Sequence, residues 1–378
     1  MYKRISLSAV LSLCSVFLAE NSVAHTNDLD SLFINAVSEE SVPGISVAVG
    51  ENGHVRWARG YGFADLESHV PMTRRTKLRI ASVSKVITAA ALMRLKEQGI
   101  IELDTYVSSL VEAWPDSHAD ISLRQITNHT SGIRHYQSLG EFLYNVEYSS
   151  TIDALDLFKD DDLLFYPGTD SNYSTYAWTL LAAAMESASG TEFKKLVQEE
   201  VFDPLNLKNS TFDENSPIIS HRQRAYSYWG GSLINSPEVN SSYKYAGGGM
   251  LSTPSDLVRF AMSHLDSGYL SDESLSELFS PGTLTSGEEV SYGIGWIVDF
   301  VSLSDWYNPE EDAELIRIIE EHPNIKLMSG EGVGGSTMLM LCPDHARSIS
   351  VVKNVDSDQT ADLVELSLKT LDIFHNKN

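Results

Sequence analysis

The chain has 378 residues and a formal net charge of −25, from 52 acidic against 27 basic side chains. So acidic a surface repels nucleic acid and anionic membranes and favours solubility, which argues against nucleic-acid partners. Two cysteines cannot build a disulfide framework, and the length suits two small domains or one large α/β body with an inserted helical lobe.

Met1-Tyr2-Lys3-Arg4, the apolar run Ile5 to Leu18 and Ser22-Val23-Ala24 have the form of a secretory signal peptide. Cleavage near Ala24 would leave a periplasmic or secreted chain, residues 25–378, organised as a single catalytic domain. The apolar run is too short to span a bilayer, and Cys14 follows a leucine too large for lipoprotein cleavage, so no stable membrane anchor is expected. Cys342 then stands alone in the strand-like run Met338 to Cys342 and reads as a buried structural thiol.

Apolar residues at helical spacing predict a helix over Asp28 to Val42, which Pro43-Gly44 ends. Ile45 to Val49 alternates as a strand, Glu51-Asn52-Gly53 reads as a hairpin turn, and His54 to Tyr61 is its partner. A polar connection, Ala64 to Lys77, leads to the apolar helix that follows Ser82. From about residue 104 to 210 the pattern is helical: Val107 to Ala113, Leu123 to His129, Ile152 to Phe158, Ala177 to Ala188 and Glu192 to Val201. Short strands near Thr211-Phe212 and Ala225 to Trp229, then helices over Leu257 to Leu265 and Ser271 to Phe279, return the chain. The last third predicts strands at Tyr292 to Val301, Ile325 to Met328, Thr337 to Leu341 and Ser348 to Lys353. Asp305 to His322 reads as an acidic surface excursion, and Asp358 to Phe374 as a closing helix.

Ser82-Val83-Ser84-Lys85 opens the most apolar of these helices. Residues three apart share a helix face, so the Lys85 amine can meet the Ser82 hydroxyl. A lysine whose pKa is depressed by burial can take a serine proton, and the helix N-terminus offers N–H groups to a developing oxyanion. Ser82 is therefore the candidate nucleophile and Lys85 its base, against the plainer reading of Ser82 as a helix cap. Two other S-x-x-K runs do not qualify. Ser241 to Lys244 runs into Gly247-Gly248-Gly249 and reads as a loop, and Ser350 to Lys353 lies on a strand, where residues three apart point to opposite faces.

Pro167 to Thr175 is a turn-rich loop presenting Tyr173, a candidate proton relay to a leaving group if its phenolate is stabilised. His129 reads as a structural hydrogen-bonding residue at a helix end. Gly330 to Gly335 satisfies G-x-G-x-x-G, but a strand follows where a dinucleotide site needs a helix. The histidines are scattered and no H-E-x-x-H occurs, so no metal site is expected, and no G-x-S-x-G elbow appears.

In order and spacing, Ser82 to Lys85, Tyr173-Ser174-Thr175 and Met328-Ser329-Gly330-Glu331 resemble the three motifs of the serine β-lactamase and penicillin-binding-protein-like hydrolases. Asn128 to Ile133, Tyr245 to Thr253 and Tyr292 to Trp296 resemble supporting signatures of that family. The branch most similar is that of the mitochondrial serine β-lactamase-like protein of animals and its bacterial relatives. The resemblance implies an α/β fold of the α+β type: an antiparallel sheet flanked by N- and C-terminal helices plus an all-helical lobe. It also implies an oxyanion hole at the backbone N–H groups of Ser82 and Glu331, and substrate contacts at Thr175, Met328, Ser329 and Gly330. Two positions depart from the family. Thr175 stands where an amide is usual, and Met328 where lysine or histidine binds a substrate carboxylate. That loss of a cation predicts weak activity on carboxylate-terminated substrates, unless Lys326, on the same strand face, returns it.

The leading expectation is a secreted or periplasmic serine hydrolase forming an acyl-enzyme on Ser82 with an amide or ester substrate, either a small molecule or a peptide. No cofactor is required. The alternatives are a β-lactamase, or a non-catalytic binding or homo-oligomeric, filament-forming protein on the same scaffold.

Overall fold

The computed structural model describes residues 27–38, 42–118, 121–356 and 362–375. The leader expected at residues 1–24 lies outside them, as do the ends of the first and last expected helices.

Asn52 and Gly53 have φ of 51° and 77°, the left-handed pair that a two-residue hairpin needs to match strand twist. They join β1 (Gly44–Glu51) to β2 (His54–Asp65). With β3 (Val70–Pro71), β4 (Lys326–Gly332), β5 (Gly335–Cys342) and β6 (Arg347–Lys353) these make an antiparallel six-stranded sheet, ordered β3-β2-β1-β6-β5-β4. Val47 of β1 faces Val351 of β6, so segments from the two ends of the chain meet at the sheet centre. Strand β4 is left at the edge.

The main helices are α1 (27–38), α2 (Ser84–Glu97), α3 (Tyr176–Ser189), α4 (Pro254–Met262), α5 (Ala313–Glu321) and α6 (Leu363–His375). Alternation along the strands sorts their partners. Val47, Val49, Met338, Met340, Ile349 and Val351 share one core with Phe33 of α1, Ile318 and Ile319 of α5, and Leu366 and Leu371 of α6. Leu339, Leu341 and Val352 join the other core, with α2, α3 and α4. Helix α2 is buried on nearly every side, from Ser84 to Met93 and at Leu95, because it lies inside this second core. Helix α3 touches α2 and the short helices Leu123–Thr127, Thr151–Ala154 and Phe193–Val197.

Four expectations about local structure change. Val107 to Ala113 forms only the 3-10 turn Val107–Ser109 and not a helix. The acidic stretch Asp305 to His322 is no surface excursion, since Leu315, Ile318 and Ile319 of α5 are buried on one face of a helix that also carries Glu314, Arg317, Glu320 and Glu321. Fully burying one such isoleucine contributes about 1.5–3 kcal/mol. Tyr292 to Val301 is no sheet strand. Gly295, at φ 78°, bends the chain so that Trp296 is buried, leaving isolated bridges at Tyr292 and Ile297. Ser241 to Lys244 is no loop but a tight turn over Ser242–Lys244 that continues into the short helix Tyr245–Gly248.

Candidate active site

Ser82 is the middle residue of a single 3-10 turn, Ala81–Val83, that runs into α2. The helix cap is Val83 and no side chain caps it, so Ser82 is not a capping serine. Ala81 before it has φ 44°, a left-handed conformation that costs a non-glycine residue about 1–2 kcal/mol. The edge strand β4 passes directly against this turn. A Cβ on Gly330 would stand 2.5 Å from the Ile80 carbonyl and 2.8 Å from the Ser82 nitrogen, so only glycine permits the approach.

One turn along α2, the fully buried Lys85 places Nζ 3.2 Å from Ser82 Oγ, 3.1 Å from Thr175 Oγ1 and 2.6 Å from the Gly247 carbonyl. Burial, reinforced by the charge of Lys244, holds this amine well below the usual lysine range. A neutral amine has two N–H groups and one lone pair. Thr175 and Gly247 accept the two hydrogens, which leaves the lone pair facing the serine hydroxyl. The family's usual amide is thus replaced by a hydroxyl that still accepts from Lys85. A Cβ on Gly247 would meet Thr175 Cγ2 at 2.7 Å, so the glycine run brings its carbonyl within reach of the amine.

The Tyr173 hydroxyl donates to Ser82 Oγ at 2.5 Å, and Lys85 Nζ lies 4.7 Å from its ring centroid. Burial pushes the phenol above its ordinary range, so Tyr173 sits here as a neutral donor and not as the stabilised phenolate that the sequence reading asked for. His129 is buried against its ring at 4.5 Å and accepts from the Ser174 N–H, the structural part expected of it. His135, which the sequence reading passed over, accepts from the Thr175 N–H at 3.3 Å. Burial pushes it down to about 4, so it is neutral at physiological pH.

Ser82, Tyr173, Thr175, Met328, Ser329 and Glu331 line one cleft of about 210 Å³, with His135, Lys244, Gly248 and Tyr292 among its other walls. The residues expected to act as nucleophile, proton relay, oxyanion hole and substrate contacts therefore converge, with Lys85 and Gly330 packed directly behind. Met328 is 2 % exposed and offers the cleft a thioether. Lys326 does not replace the missing cation: its Nζ donates to the Val298 carbonyl, away from these walls. Lys244 does. It is 7 % exposed, lines the cleft, and is pushed down to about 8 by burial and the charge of Arg79. Asp213 acts on it in the opposite sense but is itself held by Arg79 at 2.7 Å. The signal for Lys244 was present in the sequence as a lysine shortly before a glycine run. An S-x-x-K reading tests only the serine three residues upstream.

A family model described as Beta-lactamase matches residues 29–369. The chain is 28% identical to the human mitochondrial serine beta-lactamase-like protein LACTB, over 81% of this chain and 70% of that protein. Among solved structures, a D-amino acid amidase from Ochrobactrum anthropi superposes with a TM-score of 0.77 at 20% identity, covering 93% of this chain and 99% of that one. An octameric penicillin-binding protein homologue from Pyrococcus abyssi gives a TM-score of 0.73 at 22% identity, covering 93% and 78%. With its sheet, its flanking helices and its match over most of its length, the chain belongs to the beta-lactamase family of serine hydrolases.

Proposed function

We propose that this protein is an exported amide or ester hydrolase that works through an acyl-enzyme on Ser82. The carrying observation is the buried Lys85 amine, held well below the usual lysine range, 3.2 Å from Ser82 Oγ, with Thr175 Oγ1 and the Gly247 carbonyl on its other sides. In this reading the Ser82 hydroxyl gives its proton to Lys85 as Oγ bonds to the substrate carbonyl carbon. The resulting oxyanion is held by the backbone N–H groups of Ser82 and Glu331. On collapse, the leaving amine or alcohol takes a proton from the Tyr173 phenol, which the Lys85 ammonium restores. Water then attacks the ester, giving a proton to the same pair, and the acid departs with Ser82 regenerated.

Lys244 supplies the positive charge that Met328 does not, which favours acyl donors carrying a carboxylate. The D-amino acid amidase likeness supports a small amide or short peptide over a large partner. The octameric neighbour supports self-association, which sedimentation of the purified protein would reveal. Export rests on the leader-like residues 1–24.

A fluorophosphonate probe should label the wild type covalently and leave Ser82→Ala unlabelled. Equal labelling of both proteins would remove Ser82 from the mechanism.

A further inference from the structure

On the sheet face turned away from Ser82, four residues from three separate segments come together. Cys342 ends β5, and His345 lies in the turn Pro343–His345 between β5 and β6. His322 directly follows α5, and His375 is the last residue of α6. Donor atoms of His322, Cys342 and His345 all lie within 4.8 Å of one another, and Cys342 Sγ is 3.3 Å from His345 Nδ1. His375 packs on the same rings: the three imidazole centroids lie 4.9 Å (His322–His345), 5.1 Å (His322–His375) and 4.6 Å (His345–His375) apart, with planes nearly perpendicular.

We propose that His322, Cys342, His345 and His375 form a structural zinc site. With Zn–N bonds of about 2.0–2.1 Å and tetrahedral angles, imidazole centroids stand roughly 5.2 Å apart and donor atoms about 3.3–3.6 Å apart. The ring spacings fall close to this, and His375, whose donor atoms lie outside the 4.8 Å group of the other three, completes the set by turning its ring inward. The plainer reading, three histidines packed edge to face beside a core thiol, leaves one cost unexplained. His322 is 1 % exposed and its Nδ1 has no hydrogen-bond partner among the described residues. A buried nitrogen with its lone pair unused is costly to fold, and a metal ion relieves that cost. Cys342 would bind as the thiolate, releasing its proton, with the histidines neutral.

Four protein ligands leave no open position for water, so the site would be a staple and not a second reaction centre. It would pin α5 and the end of α6 to the β5–β6 turn. Asn324 Nδ2 already bonds the Asp344 carboxylate of that turn at 3.1 Å, so the segment carrying His322 is held there without the metal.

The test uses the full-length protein, freed of metal by chelator and dialysis and then titrated with cobalt(II) chloride. A near-ultraviolet thiolate-to-cobalt charge-transfer band should saturate at about one ion per chain and disappear when zinc chloride is added. At zinc a hundredfold above its dissociation constant, Tm should rise by roughly 5 °C. Cys342→Ser should lose the band and His345→Ala should bind at least tenfold more weakly, while His54→Ala, an exposed histidine elsewhere, binds as wild type. A wild type with no band and no zinc-dependent Tm shift overturns the proposal without recourse to any variant. So does a Cys342→Ser protein that shows the wild-type band.

Discussion

Replacing Lys244 by methionine keeps the unbranched stem and removes the charge from the cleft. Lys244 is 7 % exposed, and the carboxylate acting on it, Asp213, is engaged by Arg79 at 2.7 Å, so its charge can serve a ligand. A hydrogen bond to a charged group contributes about 1.5–3 kcal/mol. At 1.4 kcal/mol per factor of ten, the wild type should prefer a free-acid acyl donor over its amide by about 10- to 150-fold in kcat/KM. The assay compares one acyl donor with free and amidated C-termini in wild type and Lys244→Met, between neutral pH and about 8, where Lys244 still carries its charge. The lower limit matters because removing the Lys244 charge also raises the pKa of Lys85 and moves the acid limb of the profile upward. The expected result is a preference that collapses to within a few-fold of unity in the variant. A wild type that prefers the amide, or a preference unchanged in Lys244→Met, would refute the assignment.

The same lysine has a pH signature. It is charged below about 8, so the preference for the free acid should be full in that range and fade as pH rises through it, with the amide's KM flat across the range. Gly330→Ala puts a methyl 2.8 Å from the Ser82 nitrogen and 2.5 Å from the Ile80 carbonyl, so kcat should fall by about two orders of magnitude, with about 1–3 kcal/mol lost in denaturant unfolding. Thr175→Val removes the acceptor of one Lys85 N–H and should lower kcat/KM for neutral and acidic substrates alike, by about 10- to 100-fold, a loss of order 1–3 kcal/mol. Ile318→Ala in α5 should cost about 2–5 kcal/mol in urea unfolding while leaving KM unchanged, because the residue is fully buried in the core remote from the cleft.

Local periodicity and turn chemistry made much of the fold legible. The Asn52-Gly53 turn needs two positive φ values, and the β-branched alternation of β1 and β6 needs two different neighbours. Helix α5 was hidden because its charged residues outnumber its three buried ones, although the spacing of Leu315, Ile318 and Ile319 is helical. At the site, Ser82 and Lys85 were readable because three residues of helix bring them together. Lys244 and His135 have no such local pairing with Ser82, because only tertiary packing carries them to the cleft. The cluster around Cys342 is the extreme case: His322, His345 and His375 have no common motif, and three segments must fold before they face one another.

The most direct test of the account is to quench the reaction with a slowly hydrolysed ester and weigh the protein intact, then map the adduct by peptide digestion. The account predicts a mass gain of one acyl group on the peptide carrying Ser82, absent from Ser82→Ala and formed much more slowly in Lys85→Ala. Turnover that leaves no adduct on Ser82, or that persists at the wild-type rate in Ser82→Ala, would contradict it.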